Sequence, residues 1–578
     1  MAHRAHLFSL RLGHALRESC FNEPYNRARL IKDILAGITV GIIAIPLAMA
    51  LAIASGVAPQ YGLYTAIIGG FLIALTGGSR LSISGPTAAF VVILYPIAQQ
   101  YGLGGLLLAT VMSGLILIGL ALIRLGRLIE YIPVAVTLGF TGGIGVVIAT
   151  LQLKDFLGLT ELVMPAHYLD KVSVLAHAFP QLYWPSVAIA LLTLIIMITW
   201  PRLKLAVPAH LPAVIIASLA TWLLNGQGLE VATISSQFSY VLSDGSVGQG
   251  IPPVLPQFTL PWLQPGTTGA ELTLDWSLLQ ALLPAAFAIA MLGAIESLLC
   301  AVVLDGMTGK RHSANSELLG QGIGNIVAPF FGGITATAAI ARSAANFKAG
   351  GQTPVSGMVH ALVVLGALVL LAPMLAYVPM PAMAALLMVV AWNMSEAPKS
   401  IRLLKTAPRG DIWVFLTCFS LTILFDMVIA ITTGILVAAV LFMRDIAEMT
   451  RVSDITHSER VKACALPNDW SVFKINGPLF FAAADRVFSE LAGLCHQQQG
   501  VILYLDAVSI LDAGGQGALT GFIQHCQRQG IKVIVADLQF QPLKTLARAG
   551  MQPIVGELAF YATLQEALSR VSEGRALE

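Results

Sequence analysis

The sequence predicts an α-helical polytopic membrane protein followed by a smaller cytoplasmic α/β domain. Hydrophobic residues make up 56% of the 578 residues and charged residues only 11%, whereas soluble proteins carry about 25% charged residues. Apolar segments long enough for a bilayer recur as far as about residue 445. Beyond about Arg451, strand-like and helix-like segments alternate instead, which is typical of a small α/β domain.

These patterns predict three regions. Residues 1–32 are polar and basic and lack the apolar core of a signal peptide, so we expect a cytoplasmic leader. Residues 33–445 are the predicted transmembrane domain, with halves at about 33–225 and 280–445 joined by a polar external loop, 229–274. Residues 452–578 are the predicted α/β domain.

One apolar stretch, residues 331–351, is too short to cross a bilayer. About fifteen residues lie between its glycine pairs, or ~22 Å of helix. Thr335 and Thr337 are suitable N-caps for a helix that starts near Ala338. Arg342 lies about one turn further on and cannot lose its proton. We expect this helix start to bind an anion near the bilayer midplane; alternatively, Arg342 snorkels to an interface and the glycines serve packing.

A second short segment, Ser82–Tyr95, occupies the corresponding place in the first half. Pro86 suits the first turn of a helix and Ser84 could cap it, so a helix of about ten residues is expected. Corresponding broken segments are typical of transporters with inverted repeats and a binding site between them. Two helix starts that face each other would favour a negative ligand.

Basic residues predict the orientation. With residues 1–32 inside, the inside connections carry Arg80, Arg124, Arg127, Arg202, Lys204, Lys310, Arg311, Lys399, Arg402, Lys405 and Arg409. The segment 229–274 has no Lys or Arg and falls outside. We therefore expect a multi-pass protein of the inner membrane, with both termini cytoplasmic and about fourteen helical segments.

Four motifs together resemble the sulfate permease (SulP) anion transporter family, and the α/β region resembles a STAS domain. The motifs are I-P-L-A-M-A-L-A-I-A-S-G-V-A-P-Q-Y-G-L-Y (Ile45–Tyr64), S-G-P-T-A-A (Ser84–Ala89), N-S-E-L-L-G-Q-G-I-G-N (Asn315–Asn325) and A-R-S-A-A-N (Ala341–Asn346). The resemblance implies about fourteen helices in two inverted repeats of seven, divided into a core and a gate domain. It also implies a homodimer, and a site between the third and tenth helices that the first and eighth line.

Carried over residue by residue, the resemblance implies a set of substrate-binding positions. They are Leu47, Leu51, Thr87, Ala88, Ile340, Ala341 and Arg342. Ala341 stands where the family often has Ser, so one hydroxyl donor is missing. The ligand would then depend more on backbone N–H groups, Thr87 and Arg342.

Glu296 is the only acidic residue between Asp275 and Asp305. Burial favours its neutral form and a neighbouring Arg342 its charged form, so it is the expected proton-coupling residue. The alternative is a static Glu–Arg pair that holds two helices together. Sodium-coupled bicarbonate members of the family have Asp here and Thr four residues later, where this chain has Cys300. A hard cation prefers oxygen ligands, which favours H⁺ over Na⁺.

The expected function is H⁺-coupled uptake of dicarboxylic acids such as succinate, fumarate and aspartate, an assignment that rests on resemblance to bacterial dicarboxylate transporters of the family. A sulfate or bicarbonate transporter working by symport or exchange, or an anion channel, is the alternative. We expect no enzyme, because no nucleophile–base motif, metal-ligand cluster or Walker loop is evident. No cofactor, metal or nucleic acid is expected as a partner; the lipid bilayer is.

The loop Leu511–Gly515 resembles the signature that STAS domains share with anti-sigma-factor antagonists. Ala513 stands where those proteins have a phosphorylated Ser, so that switch is not expected. Asp512 could cap a helix after a strand, or the loop could contact a nucleotide or a cytoplasmic protein partner. The role of this domain, in dimer contact, trafficking or regulation, stays open.

Overall fold

The computed structural model describes residues 10–575 except 127–131, 160–161, 163, 166, 204–206, 242–245, 267–271, 426, 463, 465 and 496–497. Residues 1–9 of the predicted leader, parts of the predicted external loop, and two of the basic residues used for orientation, Arg127 and Lys204, lie outside this part. The chain forms two compact units, Met1–Ile435 and Leu436–Glu578.

The first half of the larger unit is helical almost throughout. Its elements are α1 (His14–Leu16), a π-helical segment (Arg17–Asn22), α2 (Arg27–Ala54), α3 (Pro59–Tyr64), a second π-helical segment (Thr65–Gly69), α4 (Gly70–Thr76), β1 (Ser84–Gly85), α5 (Ala88–Leu122), α6 (Val134–Phe156), α7 (Tyr168–Ala178), α8 (Trp184–Thr199), α9 (His210–Gly226), α10 (Ile234–Gln237), β2 (Ser239–Val241) and β3 (Val247–Gln249).

The second half follows the polar segment and repeats the helical pattern. Its elements are α11 (Trp276–Thr308), α12 (Ala314–Val327), β4 (Thr337–Ala338), α13 (Ile340–Lys348), α14 (Val355–Leu375), α15 (Met380–Met394), α16 (Ala397–Thr406), α17 (Arg409–Leu424) and α18 (Met427–Met449), which ends in the smaller unit. Short 3₁₀ turns occupy Phe179–Gln181, Trp200–Leu203, Pro261–Leu263 and Ala328–Phe331.

Within the described ranges, eight helical segments are long and apolar enough to cross a bilayer. The predicted multi-pass helical fold is therefore confirmed. The helices pack in two groups, one built around α2, α5, α11, α12 and α14 and the other around α6, α8, α9, α15 and α17. The structure adds helices that the sequence did not predict, namely α7, α16 and the very short α1 and α10.

The first broken helix is longer than expected. Gly102 interrupts α5 with φ 71° and ψ −168°, so the segment that starts at Ala88 runs to residue 101 rather than for about ten residues. Gly can adopt this positive φ without a Cβ clash, which allows the chain to break between two membrane-depth helices. The remainder of α5 continues as a second helix to Leu122.

In the smaller unit, the described residues form one five-stranded sheet. Its strands lie in the order β5 (Arg451–Asp454), β6 (Trp470–Asn476), β7 (Gly500–Ala507), β8 (Lys532–Ala536) and β9 (Leu558–Tyr561), with helices α19 (Glu459–Lys462), α20 (Ala484–Leu494), α21 (Ala513–Arg528), α22 (Phe540–Arg548) and α23 (Leu564–Ser572). All neighbouring strands are parallel except β5 and β6. The predicted α/β domain is confirmed, although β5, β9, α19, α22 and α23 were not expected.

Candidate functional site

Two very short strands bring the two broken segments together. β1 pairs with β4 in antiparallel register, with Ser84 opposite Ala338 and Gly85 opposite Thr337. α5 begins three residues after β1 and α13 begins two residues after β4. Both positive N-terminal ends therefore lie close to the same strand pair.

The expected caps of these helices are wrong. Thr335 bonds the Thr110 hydroxyl at 2.9 Å, and Thr337 donates to the Gly293 carbonyl at 3.1 Å. Ser84 belongs to β1, and its buried hydroxyl has no partner among the described residues. The true N-caps are Thr87 and Ala339, and within the described part of the chain neither makes a side-chain cap bond. Pairing of the flanking strands moved each helix start downstream, which leaves the first-turn N–H groups uncapped.

Arg342 is the largest of the fully buried side chains, with 2% of its surface exposed. Its Nη2 donates to the carbonyl of Pro86 at 2.7 Å. Its Nε and Nη1 have no hydrogen-bond partner among the described residues. Because a buried guanidinium with free N–H groups is costly, these donors are suited to an anion or to ordered water. Burial also argues against the alternative of snorkelling to an interface.

Side chains of the A-R-S-A-A-N motif connect α13 by hydrogen bonds to the residues that precede β1. Ile83 N–H donates to Ser343 Oγ at 2.9 Å, and Asn346 Nδ2 donates to the Leu81 carbonyl at 3.1 Å. Ala339 N–H donates to the Ile83 carbonyl at 3.0 Å. For this motif, site roles were expected at Ala341 and Arg342 but not at Ser343 or Asn346. Its spacing carries a signal, because Arg342, Ser343 and Asn346 lie on one face of a helix.

The other family motif, Asn315–Asn325, anchors the approach to β4. Asn325 makes two bonds to the backbone of Ala336, accepting its N–H at 2.8 Å and donating to its carbonyl at 3.0 Å. At the other end of α12, Glu317 Oε2 accepts the N–H groups of Gly78 and Ser79, each at 2.8 Å. The motif thus holds backbone segments that lead to the site and does not itself line the site.

Glu296 reaches the same region from α11. Its Oε2 accepts a hydrogen bond of 2.9 Å from Thr87 Oγ1, which explains why that hydroxyl does not cap α5. None of the ion pairs found among the described residues joins Glu296 to Arg342. Glu296 and Arg342 therefore form no direct ion pair in this structure.

The remaining predicted binding residues lie on α2 and at the starts of α5 and α13. Leu47 and Leu51 follow Pro46 in α2, and both leucines are buried. α2 packs on α13. Ala88, the first residue of α5, is buried as well. Ile340 is 36% exposed and Ala341 is also exposed. The start of α13 is thus open on one side while Arg342, the next residue, is enclosed.

One buried residue near this region was not expected. His360 of α14 is fully buried, and neither ring nitrogen has a partner within the described ranges. A separate cavity of about 440 Å³ lies between the α3 region and the polar segment, lined by Gln60, Tyr61, Tyr64, Tyr240 and Gly332 among others. None of the predicted site residues lines it, so it is distinct from the region around Arg342.

Comparison with known proteins supports the resemblance across the chain. The model of the sulfate permease family matches residues 30–418, and that of the STAS domain matches residues 462–567. The chain is 39% identical over 540 residues to a putative sulfate transporter of Bacillus subtilis, YvdB, covering 93% of this chain and 97% of that protein. It is 27% identical to the bicarbonate transporter BicA of Synechocystis over 93% of each chain.

Solved structures agree with the fold. The transmembrane domain of a cyanobacterial bicarbonate transporter, BicA, matches 72% of this chain and 98% of its own, with a TM-score of 0.59 and 27% identity. The structure of SLC26A9 matches 99% of this chain and 94% of its own with a TM-score of 0.81; at 16% identity it supports the fold alone. With its membrane-spanning helices, its paired strands β1 and β4 and its STAS domain, the chain belongs to the sulfate permease family of anion transporters.

Proposed function

We propose that this protein is a secondary active transporter that carries a small anion together with a proton. The anion would bind between the starts of α5 and α13, in contact with Leu47, Leu51, Thr87, Ala88, Ile340, Ala341 and Arg342. The observation that carries the proposal is the buried Arg342, whose Nε and Nη1 lack partners among the described residues. Two uncapped helix starts beside it add N–H groups of the same polarity.

The bond between Thr87 and Glu296 supplies a coupling device. An ionised Glu296 can only accept, so Thr87 must donate its single hydroxyl hydrogen to it. A protonated Glu296 can donate to Thr87 instead, and the Thr87 hydrogen then becomes available to the anion. Protonation also removes a negative charge close to the site. Both effects make anion and proton bind together, which is the requirement for symport.

A four-carbon dicarboxylate is the first candidate substrate, from the resemblance to dicarboxylate transporters of the family. Apolar Leu47, Leu51 and Ile340 would contact its carbon chain, and Ala341 offers no hydroxyl to a fully polar ligand. Sulfate and bicarbonate form the second candidate class. The names of the relatives favour it, since these include a putative sulfate transporter and bicarbonate transporters.

The direct test is uptake into proteoliposomes with radiolabelled succinate, fumarate, aspartate, sulfate and bicarbonate in parallel. Saturable succinate uptake that an inward proton gradient drives, and that persists when choline replaces sodium, supports H⁺-coupled dicarboxylate transport. Preferential sulfate or bicarbonate uptake identifies the second class instead. Non-saturating flux without proton movement would indicate a channel and contradict a carrier.

The same vesicles test the site. We expect Arg342→Gln to abolish specific uptake, because the positive charge and the guanidinium donors Nε and Nη1 are lost. Lys348→Gln, at the exposed end of the same helix, is the matched control and should retain uptake. Equal activity of both variants would place the anion elsewhere.

We further propose an inner-membrane homodimer with cytoplasmic N- and C-termini. The basic connections support this orientation, and the STAS domain is then available to a cytoplasmic protein partner. Labelling of single cysteines introduced at exposed residues 230 and 399 tests the orientation. Only a cysteine at residue 230 should react with an impermeant reagent applied from outside.

A further inference from the structure

An apolar groove lies on the membrane-spanning unit away from the proposed anion site. It is a cavity of about 350 Å³ between α6, α15, α16 and α17, within the range of ligand clefts. Its lining is almost entirely apolar and includes Gly145, Ala149, Trp392, Ile401, Leu404 and Phe419. Trp392, Ile401 and Leu404 are also among the exposed large hydrophobic residues, so the groove opens to the surroundings of the helix bundle.

α16 forms one wall of the groove and is amphipathic. Ala397, Ser400, Ile401 and Leu404 line the groove, at the i, i+3, i+4 and i+7 spacing of a single helix face. Arg402 and Lys405 are exposed. Each follows a groove residue, Ile401 or Leu404, by one position and therefore lies about 100° further around the helix. Arg409, at the start of α17, adds a third exposed basic side chain next in the chain.

These three cations differ from their neighbour Lys399. Lys399 pairs with Glu396 at 2.7 Å, whereas no ion pair found in the described part of the chain includes Arg402, Lys405 or Arg409. Trp392 and Trp413, both mostly exposed, flank α16 on the two adjoining helices. Exposed tryptophans are typical of the headgroup level of a bilayer. An apolar groove, unpaired cations and interfacial aromatics thus meet at one end of the helix group.

We propose that this groove binds an anionic phospholipid, with one acyl chain between α6 and α16 and the phosphate beside Arg402 and Lys405. The apolar lining suits a hydrocarbon chain, and basic residues next to a membrane segment attract anionic headgroups. A second copy of the chain fits less well, because a two-fold contact would place the same patch against itself and bring Arg402 and Lys405 near their own copies. The site is independent of the proposed transport function.

The test compares phosphatidylglycerol with phosphatidylcholine. Full-length protein is reconstituted in nanodiscs of the two lipids, released into detergent and examined by native mass spectrometry for retained lipid. We expect selective retention of phosphatidylglycerol. Arg402→Gln/Lys405→Gln should lower that retention about thirty-fold for the two charges together, while Arg402→Lys/Lys405→Arg should retain it.

Two further variants make the result specific. Arg528→Gln/Lys532→Gln removes two exposed charges from the STAS domain and should leave lipid retention unchanged. Ala149→Phe fills the groove and should reduce retention of both lipids. Equal retention of the two lipids by the unaltered protein, or no effect of Arg402→Gln/Lys405→Gln, overturns the proposal. A change of oligomeric state in Ala149→Phe without lipid loss would assign the groove to a second copy and overturn it as well.

Discussion

Gly85 and Arg342 are in such close contact that a Cβ on the glycine would lie 2.8 Å from Arg342 Nη1. Real Cβ atoms do not approach a neighbour this closely, so the guanidinium position depends on the absence of a side chain at residue 85. The glycine of the S-G-P-T-A-A motif is thus explained by space for an arginine that follows more than 250 positions later in the chain.

Gly85→Ala should displace Arg342 and lower anion uptake by about ten-fold or more, since small misplacements of positioning groups cost on this scale. Gly85→Ala should also lower the midpoint of thermal unfolding, and in an Arg342→Gln background it should lower that midpoint little further, because the clash is removed. Thermal midpoints of the two single variants and the double variant in detergent measure this coupling. Additive effects would contradict it. Gly119→Ala, in α5 with nothing within 4 Å of an added Cβ, is the control.

Ser343→Ala removes the acceptor of the buried Ile83 N–H and should destabilise the protein by about 1–3 kcal/mol. Uptake should fall as well, because Ile83 precedes β1. The midpoint of thermal unfolding in detergent and the uptake rate are the two measurements. Ser173→Ala, at an exposed position of α7, should change neither. A fully stable and active Ser343→Ala protein would show that this bond does not hold the β1–β4 strand pair in place.

Glu296→Gln should remove the pH dependence of uptake. The amide cannot release a proton, but its NH₂ group can donate to Thr87 as a protonated carboxyl would. Anion binding should therefore persist across pH, while uptake against an anion gradient with a proton gradient as driving force is lost. Glu230→Gln, at an exposed acid, is the control. Unchanged pH dependence in Glu296→Gln would eliminate the proton-carrier role.

Glu23 joins three basic residues at the end of the helix bundle from which α2 starts. It contacts Arg80 and Lys310, each at 2.7 Å, and Arg29 at 3.3 Å. Partial burial raises the pKa of Glu23, but hydrogen bonds from Lys310 and Arg80 and their charges outweigh it and lower that pKa to about 2. The segment before α2 is thereby tied to the connections that follow α4 and α11.

The stabilising effect of Glu23 should be present at neutral pH and fade in acid. A carboxyl whose pKa is lower in the folded than in the unfolded state stabilises the fold above its unfolded pKa of about 4.5. That contribution is lost as pH falls towards 2. Glu23→Gln should accordingly lower the thermal midpoint at pH 7, with the difference from the unaltered protein shrinking below about pH 4.5. A constant difference across pH, or none at pH 7, contradicts the prediction; Glu230→Gln is again the control.

The sequence predicted the helical fold because that fold follows from strong one-dimensional signals, and similar signals mark the residues of the candidate site. Hydrophobic length marks most spans, and a charge such as Arg342 inside an apolar segment is costly enough to be conspicuous. The α7 and α16 helices were missed because they are amphipathic and lie between spans. The strands β5 and β9 are four residues long and lie at the sheet edges, where alternation is too short to detect.

The helix caps were mispredicted because local preference competed with long-range pairing. Thr335 and Thr337 are good capping residues by type, yet their hydroxyls bond Thr110 and the Gly293 carbonyl. The partners lie more than 40 positions away, so a local pattern does not reveal them. The same holds for Ser343 and Ile83, whose bond depends on the antiparallel register of β1 and β4.

The pairing of β1 with β4 also has a consequence for biogenesis. Pro86 and Arg342 are 256 positions apart, and at 5–20 residues per second a ribosome needs roughly 13–50 s to make the intervening chain. During that interval the first half is already being inserted with Leu81 and Ile83 lacking their later partners. If the anion binds between α5 and α13 as proposed, a nascent chain can bind it only after the second half has been inserted into the bilayer, and anion-dependent protection from protease would report completed insertion.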